Sequence, residues 1–353
     1  MISGLELSRQ LHGEVIAPVL ARRFPHVRYA SARLDSGSDV LGFDTSVSRD
    51  HGWGPRVTVF LGQDDLAAAG TELRAVLAEA LPAAIAGVAT RFARPTAQAP
   101  DAFGHGIEVT TVEGFFSQWL GCNPRQPLTI VEWLAAPASR LRAVADGAVW
   151  HDGLGAIGPA RERLRWYPDD LWRALMATQW RRLAEQEAFM GRCGDVGDEL
   201  GSRLVAARQV RELMRAVFLL SRVYPPYSKW FGSAFSRLDL AAELEPRLAR
   251  VLDATDWRSR EDALNAAYAA VGAMHNAASL TPAIDLAVRP FHERPYRILD
   301  VSRFATALDA THSLGDVMSG AAWQWIDDAK IDETPARALT AVHSQRRPTC
   351  ACS

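Results

Sequence analysis

The apolar positions at the start of the chain follow two different periods. Leu5, Leu7, Leu11, Val15, Val19 and Leu20 recur at mostly helical spacing and predict a helix over residues 5–24, which Pro25 stops. The following HVRYASARL predicts a strand, and Gly37-Ser38 turns the chain into a loop of small and acidic residues. A second apolar strand carries Val57, Val59, Phe60 and Leu61. Beyond it, Leu66, Leu73, Val76, Leu77 and Leu81 form the buried stripe of a helix, with Asp64 or Asp65 as its N-cap. The order helix, strand, loop, strand, helix belongs to an α/β layer arrangement.

Residues 94–106 are rich in Pro, Ala, Gly and Asp and read as a loop. Ile107 to Val112 then alternates as a strand, with Glu108 its one charged side chain, facing either solvent or a site. Short helices are predicted at Phe115–Leu120 and from Glu132, and a helix over Leu141–Trp150 leads to a short hairpin at His151-Asp152-Gly153. From Tyr167 the character changes. Leu171, Trp172, Leu175, Met176, Trp180 and Leu183 mark one long helix opened by an aspartate cap, and Leu204, Val210, Leu213, Met214, Val217 and Phe218 mark another. A rigid connector over Tyr224–Trp230 follows, then helices near 232–240, 243–252 and 261–278. Ile298-Leu299 forms a short extended piece, and two short helices lie near 304–308 and 317–326. The domain expectation is an α/β unit over 1–160, a mainly helical unit over 161–345 and a flexible tail over 346–353.

Composition narrows the function classes. The 353 residues, 48% hydrophobic, can build two cores, and 39 basic against 41 acidic residues, net -2, make a nucleic-acid partner unlikely by charge. The N-terminus intersperses Glu6, Arg9 and Glu14 among its apolar residues, unlike a signal peptide, and no apolar run reaches the roughly 18 residues that span a bilayer. The expected setting is the cytosol, with no membrane partner. Cys122, Cys193, Cys350 and Cys352 lack a compact metal-ligand spacing apart from the terminal CAC, which reads as part of a flexible end.

The chemistry concentrates between Arg33 and Leu61. Gly37, Gly42, Gly52 and Gly54 permit conformations closed to other residues, while Asp35, Asp39, Asp44 and Asp50 supply carboxylates that are costly to bury without partners. Such a loop at a sheet edge can hold a metal and a phosphate chain. Arg33 and Arg49 flank it and can neutralise a triphosphate, or form surface salt bridges with Asp35 or Asp44. His51 points away from Asp50 if the segment is extended, and Trp53 reads as a core residue. Asp198 and Glu199 stand where a long helix begins, as acids at caps do.

The run GSDVLGFDTSVSRDHGWGPR, with GDELGS at 197–202 and PYSKWFGSAF at 226–235, resembles the DUF4037 family, placed in the nucleotidyltransferase-like superfamily. The resemblance implies an α/β N-terminal nucleotidyltransferase-like domain with a small mixed sheet, followed by a mainly helical C-terminal domain. It also implies a glycine-serine turn that grips phosphates and a pair of acids with one residue between them. A third acid comes from an adjacent strand. Here the turn matches Gly37 and Ser38, the first acid matches Asp50, the second position is Gly52, and Glu108 is the candidate third acid. Nucleotidyl transfer uses Mg²⁺ to bridge the α-phosphate and assist the attacking hydroxyl, so the glycine leaves one motif carboxylate short. Asp44 or Asp39 folding inward, or Glu108 and Asp50 holding one metal with waters, would repair the site.

Two readings follow. In the first, a nucleoside monophosphate passes from ATP or another NTP to a small-molecule substrate. Asp50, Glu108 and Asp44 hold Mg²⁺, Gly37, Ser38, Arg33 and Arg49 bind the phosphates, and Lys229 helps neutralise developing charge. In the second, the same fold is a catalytically silent nucleotide or metabolite binder, which Gly52 favours. Lys229, Tyr224 and Tyr227 either close over the loop or form a packed corner with Lys229 in solvent. Arg289, His292, Arg294 and Arg297 either line the same cleft or are a solvated cluster. A partner protein or a homo-oligomer is left open.

Overall fold

In the computed structural model, residues 2–45, 47, 53–93 and 103–310 are described, and the chain divides into two compact units between Arg165 and Trp166. The N-terminal unit is mixed α/β and the second is almost entirely helical. Among the described residues, no helix is long and apolar enough to cross a membrane.

The N-terminal unit opens with helix α1 (Gly4–Leu11), a π-helical turn at His12–Ile16 and helix α2 (Ala17–Arg23). Strand β1 (Tyr29–Arg33) leads into the acidic loop, and β2 (Arg56–Leu61) returns antiparallel to it, with Ser31 opposite Val59. Helix α3 (Gln63–Ala80) follows at once. Its N-cap is Gly62 rather than either predicted aspartate, because the helix starts directly after β2. Asp64 and Asp65 fall in its first turn, where the free N–H groups favour acids. A small hairpin of β3 (Ala84–Ile85) and β4 (Val88–Ala89) precedes β5 (Arg91–Ala93) and β6 (Phe103–Thr111), which pair antiparallel. β6 runs parallel to β2, with Glu108 opposite Thr58.

Helices α4 (Val112–Leu120), α5 (Ile130–Ala135) and α6 (Ala138–Asp146) lead to β7 (Ala148–Asp152) and α7 (Ile157–Arg163). The sheet order is β5-β6-β2-β1-β7. β7 replaces the helix and hairpin expected across 141–153, where α6 stops at Asp146 and the chain joins the open side of β1. Gly147 makes this approach possible, since a Cβ there would lie 2.3 Å from the Arg33 carbonyl oxygen.

Strand alternation divides the sheet residues between two faces. Val57, Val59, Leu61, Ile107 and Val109 join Leu7, Leu11, Val15, Ile16 and Leu20 of the first helices and Leu73 and Leu77 of α3 in one core. On the other face, Phe60 meets Phe115 of α4 edge-on at 5.5 Å.

The second unit comprises α8 (Asp169–Gln186), α9 (Phe189–Asp195), α10 (Glu199–Leu220), α11 (Ser228–Phe235), α12 (Ala241–Asp253), α13 (Trp257–Ala277) and α14 (Ser302–Asp309). A hairpin of β8 (Arg289–Pro290) and β9 (Arg297–Ile298) lies before α14. α8 begins at Pro168 as N-cap, without the side-chain cap expected from aspartate. Asp169 and Asp170 occupy its first turn. α11 starts at Ser228, inside the stretch expected to be a connector, because Tyr227 is the first residue after the proline pair and can itself serve as the extended N-cap. At the centre, Trp180 of α8 stacks on Phe304 of α14 at 4.2 Å and donates its indole N–H to His275 Nδ1 of α13 at 3.2 Å. The predicted helix near 317–326 and the tail lie outside the described residues.

Candidate functional site

Arg33 ends β1 and is buried to 1% exposure, although a guanidinium is among the costliest groups to desolvate. The loop beyond it supplies the compensation. Asp35 pairs with Arg33, the Ser36 carbonyl accepts from Arg33 Nη2 at 2.8 Å, and the buried Asp39 lies 3.4 Å from the same nitrogen. Arg56, opening β2, reaches Asp35 at 3.0 Å. The result is an alternating chain, Asp39, Arg33, Asp35, Arg56, linking the ends of two strands. Burial holds Arg33 down to about 10, with Arg56 adding to the depression and Asp39 opposing it. Burial also lowers Arg56, against the pull of Asp39 and Glu108.

Gly37 acts here by its size. A Cβ at that position would lie 1.9 Å from Asp39 Oδ1 and 2.8 Å from Arg33 Nη2, so the glycine makes room for the buried pair. Ser38 contributes its carbonyl to the turn, accepting from Phe43 N at 2.7 Å. Asp44 accepts the Gly4 N–H at the start of α1 at 2.7 Å and the Trp53 indole N–H at 3.3 Å. Trp53 is half-buried and packs on the core of the unit, as the sequence suggested.

A pocket of about 490 Å³ opens beside this charge chain. Its wall includes Arg33, Asp35, Arg56, Thr58, Arg74 and Glu108, together with His105, Gly106, Ile107 and Val109 of β6. Glu108 is exposed on β6 and faces this pocket. Arg74 projects from α3 and donates to the Val109 carbonyl at 2.7 Å. The structure therefore gathers Arg33 and Glu108 around one cavity, while Asp44 is occupied at the start of α1. Asp50, Arg49, His51 and Gly52 lie outside the described residues. Among the described residues, no group of three or more His, Cys, Asp or Glu side chains is placed to hold a metal ion, and Asp50, the first acid expected to hold Mg²⁺, is not among them.

Arg33 also departs from the surface salt bridge considered for it, because its pairing is internal to the unit. Arg56, Arg74 and His105 were not singled out by sequence. Arg56 ends the long glycine-rich motif, which was a usable signal, whereas Arg74 meets Val109 across 35 residues and no local pattern reports that.

In the second unit, Lys229 is exposed on α11, its Nζ 5.1 Å from the Trp230 ring centroid. Tyr224 is a core residue, 4.7 Å from the Trp166 ring and 4.9 Å from Tyr167, so the packed-corner reading holds for it. Asp198 caps α10 by accepting from Gly201 N at 2.8 Å. Arg297 pairs with Glu261 and Asp262, and Arg289 with Asp285, as a solvated charged cluster would.

Comparison with known proteins adds a family description. Residues 133–231 match the family described as Domain of unknown function (DUF4037). The DUF4037 span contains GDELGS and the start of PYSKWFGSAF, and it lies outside the 37–56 run. No curated protein matches the chain. Among solved structures, a nucleotidyltransferase-like protein from Exiguobacterium sibiricum 255-15 aligns over 86% of this chain and 88% of its own, at 11% identity and a TM-score of 0.34. That overlap is too loose to bear on the site.

Proposed function

We propose that the N-terminal unit binds a nucleotide or another phosphate-bearing metabolite in the pocket beside Arg56, and does so without metal-dependent transfer. The charge make-up of that pocket carries the reading. Three guanidinium groups and His105 stand around it, against Glu108 and an Asp35 already paired with Arg33 and Arg56. Guanidinium forks match phosphate oxygens and need no bridging cation. Arg33 is committed to the loop, so Arg56 and Arg74 are the residues proposed to meet the ligand. The resemblance of the 37–56 run to the nucleotidyltransferase-like superfamily supports a nucleotide, and Gly52 in place of the second motif acid supports a silent site.

The test is calorimetric titration of the full chain with ATP, GTP, CTP and UTP, in Mg²⁺ and in EDTA, beside Asp50→Asn and Arg56→Gln. The expected result is binding that survives EDTA and Asp50→Asn and weakens by about tenfold or more in Arg56→Gln, the loss of one charge-assisted contact. Binding that requires Mg²⁺ and disappears in Asp50→Asn would overturn the silent reading in favour of transfer of a nucleoside monophosphate from an NTP. Absence of binding in folded protein would remove the nucleotide altogether.

A further inference from the structure

One side of β6 is taken by β2 from Gly106 to Thr111, and the other by β5 only at its start, where Arg91, Phe92 and Ala93 pair with His105, Gly104 and Phe103. α4 begins at Val112, so among the described residues a short stretch of strand edge remains between the two. Main-chain groups of alternate residues point to the same side of a strand. Two bonds show which residues turn away from β2. The Ile107 N–H donates to His105 Nδ1 at 3.2 Å, and the Val109 carbonyl accepts from Arg74 at 2.7 Å. The same alternation leaves the Ile107 carbonyl and the Val109 N–H on the outward edge, adjacent to each other. Both residues line the pocket that holds Arg56 and Arg74.

We infer that this stretch of edge is the base-reading surface of the pocket, the Ile107 carbonyl accepting from and the Val109 N–H donating to neighbouring ring positions of a nucleobase. The inference rests on the nucleotide-binding reading above and adds the part of the ligand that lies beyond Arg56. A nucleobase presents a donor and an acceptor side by side in one plane, which is what a strand edge can pair. Arg74, held on the Val109 carbonyl, would lay its guanidinium against the ring, while the phosphates run toward Arg56. An added peptide strand fits less well, because it needs a longer row of alternating pairs than Ile107 and Val109 provide between β5 and α4.

The experiment compares the affinity of the full chain for ATP, GTP, CTP and UTP with that for inorganic tripolyphosphate and ribose 5-triphosphate. At least one nucleotide should bind about tenfold or more tighter than either base-free probe, the scale of one or two net hydrogen bonds. Val109→Pro removes the outward N–H, which strand edges tolerate, and also trims the core side chain of Val109. If thermal melting shows it folded, it should keep tripolyphosphate binding and lose the nucleotide advantage. Because Val109 is also a core residue, the base-free probes with the unaltered chain decide the matter should the variant unfold. Equal affinity for all nucleotides and tripolyphosphate would overturn base reading and leave the phosphate site standing. Failure of every probe to bind would remove both.

Discussion

Both units bury charged side chains, but they complete them differently. In the helical unit Glu212, Arg260 and Glu187 tie helices and main chain together, while the buried Glu261 pairs with the exposed Arg297 beside a second pocket. Glu212 accepts from Gln179 at 2.9 Å and pairs with Arg215 at 3.0 Å and Arg182 at 3.1 Å. Arg260 donates to Ser202 at 2.8 Å and the Ala254 carbonyl at 2.8 Å, and pairs with Glu199 at 2.5 Å. Glu187 accepts three main-chain N–H groups, from Leu299 at 2.9 Å and from Asp300 and Val301 at 3.0 Å. In the α/β unit the corresponding chain, Asp39 to Arg56, forms a wall of the open pocket. Networks that run between packed helices hold them together, whereas one that ends at a cavity still has a charged face to offer a ligand.

The largest effect expected from this contrast comes from Arg33→Ala. It would leave the buried Asp39 without its partner and break the link to Asp35, at a cost of about 3–5 kcal/mol. Denaturant unfolding followed by hydrogen exchange should place the loss in β1 and the acidic loop. Arg33→Lys should recover only part of it, since an ammonium cannot reproduce the fork. Loss of protection spread evenly over both units would break the comparison.

Glu187 gives a pH signature confined to the helical unit. Burial raises it from 4.5 to about 7, with Asp300 adding and the three N–H donors opposing. A carboxyl raised in the folded state favours its protonated form there. Its contribution to stability is therefore fully present below about pH 4.5 and is lost as pH rises to about 7, a swing on the order of 3 kcal/mol by linkage. Glu187→Gln should flatten that part of the pH profile, measured by exchange protection of residues 299–309. Protection that increases with pH in the unaltered chain would show that the N–H donors, not burial, dominate.

The smallest effect is expected at Asp44. Asp44→Ala should cost about 1 kcal/mol, the scale of losing a partner at a helix start, and should shift the fluorescence of Trp53. Asp44→Asn, which keeps an acceptor for the Gly4 N–H, should retain most of the stability. If Asp44→Ala leaves stability unchanged but abolishes ligand binding, Asp44 belongs to the pocket instead.

Much of this fold is legible in residue order. Period-two and helical patterns identify β1, β2, β6 and the long helices, because burial on one face leaves its spacing in the sequence. β7 is not legible. AVWHD carries little alternation, and its place depends on Gly147 letting the chain approach Arg33. The site follows the same rule. Arg33, Asp35 and Asp39 are near neighbours in sequence, so a charged loop is visible, but its closure into a buried chain depends on packing. Asp44 is one of the loop acids expected at a metal, and one group it accepts from, the Gly4 N–H, lies forty residues away.

The π-helical turn between α1 and α2 bears on how this chain tolerates change. There the Ala17 N–H bonds to the His12 carbonyl, one residue further back than in an α-helix. That wider loop accommodates a surplus residue while Leu7, Leu11, Ile16 and Leu20 all stay in one core, and His12 Nδ1 sits 2.9 Å from Ser31 Oγ. Deleting one residue from 12–15 would close that turn to ordinary helical spacing and bring Leu7, Leu11, Ile16 and Leu20 to steps of four, so all four would keep to one face. Inserting a further residue there would instead turn Leu20 by about 100° away from that core even though no side chain had been altered. In this segment the chain should tolerate losing a residue better than gaining one.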